Sequence, residues 1–237
     1  MNIHDFPADN QRTKNWRLDR LGMFTGSEIY NLLKSPRTKS AVWAETTKDY
    51  IYNKMSERDI APLTLANEDI WEQYLTLTSP TSRAMQFGID NEGDARRAYW
   101  RKFQASGLDL IVTGSVKHTT IQTFASSPDG VIYDVDSEEA VGTLEIKVPS
   151  PAVYMRYRNE ICDGETLKAL RPEYYYQCQS HMMVTDTQWC DFVAYNPFVI
   201  HQLHVARIER DEAAVALIAE RIHLAEAFIE TSKEAVK

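Results

Sequence analysis

Only three cysteines occur in 237 residues, Cys162, Cys178 and Cys190, and no two of them form a C-x-x-C pair. That scarcity argues against a disulfide framework, a structural zinc site and a four-cysteine iron–sulfur cluster, and it fits a reducing cytoplasm. Long apolar runs are missing too, since nothing approaches the roughly 18–20 residues that span a bilayer. The opening stretch MNIHDFPADNQRTK lacks the apolar core of a signal peptide, so the chain is expected to stay in the compartment where it is made. No repeat, low-complexity tract or glycine–serine linker breaks the chain, and residues 1–237 are expected to make one domain. Hydrophobic residues at 43% and charged residues at 25% are enough for a sizeable core under an ordinary polar surface.

Positive charge is also in short supply. The formal net charge is −8, and at long range an acidic surface repels a polyanion such as DNA. The distribution is uneven, however. Residues 1–40 hold Arg12, Lys14, Arg17, Arg20, Lys34, Arg37 and Lys39 against Asp5, Asp9, Asp19 and Glu28, a balance of +3 that leaves −11 for the rest. With a screening length of about 8 Å at physiological salt, a local basic groove on an acidic protein can still hold DNA.

Helical and strand patterns divide the chain into a helical part at about 1–105, a sheet-containing part at about 106–210 and a closing helix at about 211–233. Thr25-x-x-Glu28, followed by Ile29, Leu32 and Leu33, predicts a capping box opening a helix that ends near Ser35-Pro36. Residues 41–57 and 81–105 predict two further helices. The segments LDLIVTGSVKH, TIQTFAS, GVIYDV and VGTLEIKV are short, rich in β-branched residues and bounded by turn signals, as strands are. Helices are expected again at about 151–159 and 172–185, then strands in WCDFVAY and VIHQLHVARIE. Helices around one central sheet make an α/β or α+β fold.

Chemistry concentrates in Ser127-Pro128-Asp129-Gly130 and, fifteen residues on, in Glu145-Ile146-Lys147. Residues i and i+2 of a strand share a face, so Glu145 and Lys147 project together while Ile146 points away. A hairpin would set Asp129 beside Glu145. Phosphodiester hydrolysis needs charge neutralised at the transition state and hydroxide made available near neutral pH, and a divalent ion held by carboxylates serves both needs. Magnesium takes one or two carboxylates plus waters, which Asp129, Glu145 and the Ile146 carbonyl would satisfy. Lys147 would orient the attacking water and offset developing charge. The bland reading is a Pro-Asp-Gly turn and a solvated Glu-x-Lys pair. Against it, Leu144, Ile146 and Val148 make the opposite strand face apolar, as in a central strand. Phe87-Gly88-x-x-x-Glu92 and Tyr174-x-x-Gln177-x-x-x-His181 also place polar groups in otherwise apolar helices.

Five blocks in order carry a family resemblance. They are Trp16-x-x-x-Arg20-x-Gly22-x-x-Thr25-x-Ser27, Gly88-x-x-x-Glu92-x-x-Ala95-Arg96, Ser126-Ser127-Pro128-Asp129-Gly130, Leu144-Glu145-Ile146-Lys147-x-Pro149, and Tyr174-x-x-Gln177-x-Gln179. In this the chain resembles the lambda-type phage exonucleases, the YqaJ-like recombinase branch of the PD-(D/E)xK nucleases. The resemblance implies a restriction-endonuclease-like α/β core, with a central mixed sheet flanked by helices. It implies a magnesium-dependent exonuclease, manganese able to substitute, with two ions per site. Such an enzyme digests one strand of duplex DNA 5′ to 3′ from an end and leaves a 3′ tail for phage-type recombination. Asp129 and Glu145 would bind metal with the Ile146 carbonyl, Lys147 would position water, and Glu92 would face that water or a second ion. Gln177 would contact the water or the scissile phosphate, while Arg20, Ser27 and Ser127 would hold a terminal 5′-phosphate. Thr25-Gly26-Ser27 at a helix start would suit that anion. A homotrimeric ring around DNA, a single-strand annealing partner and the cytoplasm of a bacterial host are implied as well, with no membrane association.

One position departs from the family: its phosphate-binding arginine, eight residues after the metal-binding glutamate, is Val153 here, with Arg156 and Arg158 as substitutes on the same helix. An endonuclease or repair nuclease on the same core stays open as an alternative, as does a non-catalytic DNA-end-binding protein. Cas4-like relatives are disfavoured because their cysteine cluster is missing. His181, one turn after Gln177, is within reach of the site but reads first as a core or capping histidine, and Gln179 reads as structural. Of Tyr174, Tyr175 and Tyr176, at least two read as packing, the third being available to stack on a base. Arg96, Arg97, Arg101 and Lys102 read as a solvated helix face.

Overall fold

The run from Ala140 to Lys147 becomes the middle strand of the principal sheet, and helices cover both of its faces. A computed structural model describes residues 1–37, 40–79 and 81–234, so Lys39 of the basic segment lies outside the described residues. In chain order the elements are α1 (Lys14–Asp19), β1 (Phe24–Thr25), α2 (Tyr30–Leu33), α3 (Glu45–Arg58), α4 (Pro62–Ala66), α5 (Glu68–Thr78) and α6 (Arg83–Phe103). Next come β2 (Leu108–Ile111), β3 (Val116–Lys117), β4 (Phe124–Ser126), β5 (Gly130–Asp134), β6 (Ala140–Lys147), α7 (Pro151–Glu160) and α8 (Gly164–Leu170). Then α9 (Pro172–Thr185), β7 (Trp189–Tyr195), β8 (Leu203–Glu209) and α10 (Glu212–Glu234) complete the set. No helix among the described residues is long and apolar enough to cross a membrane.

The principal sheet runs β2-β5-β6-β7-β8 and is mixed: β6 and β7 are parallel, and the other neighbours are antiparallel. Period-two alternation sorts its side chains. Leu144 and Ile146 of β6 and Val193 and Tyr195 of β7 pack under α6 with Ala95, Tyr99 and Ile132. The alternate positions Cys190, Phe192 and Ala194 join a larger core on the other face, with Tyr154, Tyr157, Cys178 and Met182. Each fully buried Leu or Ile contributes roughly 1.5–3 kcal/mol by leaving water. The helix α9 is buried from Tyr175 to Thr185, polar residues included, because it lies against the sheet with α10, α8 and α2 packed around it.

A small second sheet, β1-β4-β3, differs from the sequence expectation. Thr25 does not cap a helix. It pairs in parallel with Ala125, and the Gly26 N–H donates to the Ala125 carbonyl at 3.0 Å. Strand pairing thus holds the backbone that a capping box would need, and the Thr25–Glu28 hydrogen bond of 3.0 Å closes a turn instead. The helix that follows is one turn long, with no side-chain cap. The stretch 108–118 also splits between the two sheets, because the N-terminal segment docks at its middle. Ala8 bridges Thr113, and the Gly114 N–H donates to the Pro7 carbonyl. A Cβ on Gly114 would lie 2.8 Å from the Ala8 carbonyl oxygen, a backbone atom with little room to yield. Helices α4, α5 and α8 were not anticipated from the sequence.

Leu144 is fully buried beside Glu145 and ties the middle strand to α6. Leu144→Ala is expected to lower unfolding free energy by about 2–5 kcal/mol, read from urea denaturation. A loss below about 1 kcal/mol would contradict the central placement of β6.

Candidate active site

The β5–β6 hairpin brings the two predicted carboxylates together. Gly130 pairs with Leu144, the Asp129 N–H donates to the Leu144 carbonyl at 3.0 Å, and Asp129 Oδ2 accepts the Ile146 N–H at 2.6 Å. Glu145 sits one residue along on the face toward α9 and is 1% exposed. Its Oε2 accepts from His181 Nε2 at 2.6 Å. Lys147 Nζ pairs with Oε1 as an ion pair, yet Oε1 lacks an aligned hydrogen-bond partner and is buried. Lys147 Nζ also donates to Gln177 Oε1 at 3.3 Å and lies 4.6 Å above the Tyr174 ring. Asp129, Glu145, Ile146, Lys147, Gln177, Tyr174 and Glu92 all line one cleft of about 510 Å³.

Electrostatics in the cleft are uneven. Burial, with Glu145 and Glu92 nearby, pushes the Asp129 carboxyl well above the usual carboxylate range despite Lys147 and the Ile146 N–H. Burial would raise Glu145 as well, but Lys147 and His181 together outweigh it and hold Glu145 below its ordinary value. Lys147 is held above its ordinary value, the two carboxylates outweighing its own burial.

Glu92 reaches the cleft from α6, but with its charge already matched. Its Oε1 accepts from Arg96 at 2.6 Å, and its Oε2 pairs with Arg12. Arg96 Nε donates to the Asp129 carbonyl at 2.7 Å, so Arg96 joins α6 to the hairpin and does not lie on a solvated face. Arg12 comes from the N-terminal segment with a left-handed backbone (φ 67°), which non-glycine residues rarely adopt.

The three residues assigned to phosphate also meet. Arg20 donates to Ser127 Oγ at 3.2 Å and to Ser27 Oγ at 3.4 Å, and Trp16 Nε1 reaches Ser127 Oγ at 3.3 Å. The guanidinium lies 4.1 Å over the Trp16 ring. Trp16, Arg20 and Ser27 border a cavity of about 230 Å³ next to that cleft, Ser27 lines both, and Ser127 lines neither. Thr25 ends β1 and Gly26-Ser27 lie in the turn after it, so no helix starts there to supply a dipole. Val153 is on the surface, Arg156 pairs with Glu160 on its own helix, and neither Arg156 nor Arg158 lines either cavity. Two further cations line that cavity, Arg17 and Lys54, the latter buried against Glu28 and Glu57.

Other sequence readings divide. Gln179 is structural, bonded to the Glu209 carbonyl and the Asp211 N–H. Tyr175 bonds Asp211, and Tyr176 stacks on Tyr30, which leaves Tyr174 at the cleft. His181 is not merely a core histidine, because it bonds Glu145 directly. Its one-turn spacing from Gln177 was the signal. Arg12 gave none, since only tertiary folding brings residue 12 to residue 92.

The residues present suit a magnesium-type ion. Asp129 and Glu145 Oε1, the latter ion-paired with Lys147, are hard oxygen donors in one pocket, with Ile146 beside them. Among the described residues, no three His, Cys, Asp or Glu side chains converge as a closed metal site. An incomplete shell of two carboxylates and a carbonyl is what magnesium commonly accepts.

Comparison with known proteins then decides the family. Residues 15–188 match the model of the YqaJ-like viral recombinase domain. The chain belongs to that family. Among solved structures, an alkaline exonuclease from Laribacter hongkongensis is 30% identical with a TM-score of 0.69, over 94% of this chain and 96% of its own. The same enzyme in complex with dAMP gives 30% and 0.68, over 95% and 96%. A phage-related exonuclease from Haemophilus somnus 129PT shares the fold at 13% identity and a TM-score of 0.62, over 93% of this chain and all of its own (100%). No curated protein sequence matches. Membership in the YqaJ-like family brings the restriction-endonuclease-like core with it, as the mixed sheet between helices displays.

The raised Asp129 carboxyl sets a pH test for the YqaJ-like chain. Its folded form keeps a proton that the unfolded chain releases near pH 3.9, so stability is lost as pH climbs from there toward the folded value. Without divalent ions, Asp129→Asn should melt at least about 2 °C above wild type at pH 8, roughly 1 kcal/mol for a chain this size. The gap should close near pH 4. Thermal denaturation in chelator reads both, and an Asn variant no more stable at pH 8 would contradict the assignment.

Proposed function

We propose that this YqaJ-like chain, acting as one nuclease domain, is a metal-dependent exonuclease that digests one strand of duplex DNA from a 5′-phosphorylated end. The observation that carries the reading is the adjacency of two clusters. An arginine–serine group suited to a phosphate shares Ser27 with a cleft that holds a carboxylate pair and a lysine. A terminal phosphate held by Arg20, Ser27 and Ser127 would set the next phosphodiester into the cleft, which gives the 5′-to-3′ direction and leaves a 3′ tail.

Asp129, Glu145 and the Ile146 carbonyl would hold magnesium, or manganese in its place, and the ion would supply Lewis-acid activation of water and phosphoryl oxygen. Lys147 orients the attacking water through its ammonium and offsets charge on the phosphorane-like transition state. As the attacking water gives up a proton to solvent and its oxygen bonds phosphorus, the P–O3′ bond breaks and the departing O3′ takes a proton from solvent. Gln177 fixes the Lys147 ammonium through its carbonyl oxygen. Glu92 balances Arg12 and Arg96 at the rim, so a second ion at Glu92 requires Arg12 to move aside. Family resemblance extends the reading to a homotrimeric ring, a single-strand annealing protein as partner, and a bacterial cytoplasm in a phage-type recombination system.

Glu145→Ala and Lys147→Ala are each expected to lower cleavage at least about a hundredfold, roughly 2.7 kcal/mol of barrier, with the fold retained. Linear duplex should disappear in magnesium, not in chelator, and circular duplex should persist. Cutting of circles would replace the exonuclease with an endonuclease, and absence of any hydrolysis would leave an end-binding protein.

The phosphate cluster has its own test. Charge-assisted hydrogen bonds to phosphate contribute roughly 1.5–3 kcal/mol, so Arg20→Ala should slow digestion on the order of ten- to a hundredfold on 5′-phosphorylated ends. On 5′-hydroxyl ends, already poor substrates, the loss should be much smaller. Equal losses on the two ends would show that Arg20 acts as general positive charge.

A further inference from the structure

Two buried polar residues behind Glu145, Ser126 and His181, are not used by the mechanism above. Ser126 Oγ lies 2.8 Å from His181 Nδ1, and His181 Nε2 lies 2.6 Å from Glu145 Oε2. Ser126, His181 and Glu145 are each 1% exposed. A carboxylate has no hydrogen to give, so Nε2 carries the proton and donates it to Oε2. That leaves Nδ1 as the acceptor for the Ser126 hydroxyl when the ring is neutral. The Ser126 hydroxyl in turn occupies space that only Gly26 leaves open, since a Cβ there would come within 2.1 Å of Ser126 Oγ. The ring is therefore fixed at both nitrogens, and Glu145 is fixed by the ring.

The two oxygens of Glu145 consequently differ. Oε2 is committed to His181, and Oε1 faces Lys147 and the cleft without an aligned hydrogen bond. We propose that His181 is a positioning residue that restricts Glu145 to one metal-binding oxygen and thereby makes the site select magnesium over calcium. The inference rests on the metal site of the preceding section. Magnesium wants near-octahedral geometry at about 2.0–2.1 Å and takes carboxylates through single oxygens, whereas calcium takes six to eight oxygens at roughly 2.3–2.6 Å and readily uses a carboxylate through both. With Oε2 held toward His181, Glu145 is a poorer two-oxygen ligand, which disfavours calcium and leaves the single-oxygen binding of magnesium intact. Groups that orient a ligating side chain typically change metal affinity 10–100-fold when removed.

The test reads metal binding without DNA or catalysis. Melting temperature is followed against Mg²⁺ or Ca²⁺ concentration for wild type, His181→Met and His181→Gln, and each series gives a dissociation constant. His181→Met removes the donor, so the Ca²⁺-to-Mg²⁺ affinity ratio should rise about tenfold or more, in line with outer-ligand effects. His181→Gln keeps an N–H for Oε2 and should return the ratio toward wild type. A folded Met variant with an unchanged ratio overturns the role of His181 while the metal site stands. Should the Met variant not fold, Ser126→Ala, which frees the ring, is expected to shift the ratio the same way by less, and an unchanged ratio there overturns the proposal. A wild type that neither ion stabilises removes the metal site and this inference with it.

Discussion

Glu145 is a charged side chain in the middle strand of the principal sheet, 1% exposed, where an isolated carboxylate would be prohibitively costly. Its neighbours are arranged around that cost. Lys147 comes from the same strand face, His181 from α9, and Asp129 from the residue before β5, where β5 pairs with β6. Each partner is held by a further group: Lys147 by Gln177, His181 by Ser126, Asp129 by the Ile146 N–H. Even Gly26 belongs to this set, since it leaves the space for Ser126. Hydrophobic packing of Leu144 and Ile146 under α6 keeps the strand rigid from behind. A site that stores unfavourable charge in this way gains most from a cation entering it.

The acidic composition and the proposed nucleic-acid substrate are reconciled by placement. Arg12 and Arg20, both from the cationic N-terminal segment, end at the cleft and at the adjoining phosphate-sized cavity. Each is balanced locally, Arg12 by Glu92 and Arg20 by serine hydroxyls and the Trp16 ring. The cluster can therefore form in the free protein without strong repulsion, and an incoming phosphate exchanges for those partners. The remaining surface is acidic and disfavours contact with DNA elsewhere.

Much of this was legible in the chain where apolar segments have clear ends. The helix 172–185 and the strand 189–195 match their expected bounds, Pro172 opening the one and Pro197 following the other. The site hairpin was readable too: a strand opening after Asp129, paired antiparallel with the strand that carries Glu145, sets the two carboxylates side by side. Thr25-x-x-Glu28 misled because its residues favour a helix start locally, while pairing with Ala125 drew the backbone into a strand. Residues 108–118 read as one strand-like segment, and the break at their middle depends on Ala8 and Pro7, about a hundred positions away. Arg12 is the extreme case, since nothing near residue 12 points to Glu92.

The central claim is that Asp129 and Glu145 together hold a divalent ion, with Glu145 using the oxygen that His181 leaves free. Anomalous scattering from crystals grown with manganese tests it most directly. The account predicts one strong peak at roughly 2.0–2.2 Å from Asp129, Glu145 Oε1 and the Ile146 carbonyl, with His181 Nε2 still on Oε2. A peak coordinated by Glu92 without Glu145, or no peak in the cleft at saturating manganese, would contradict it.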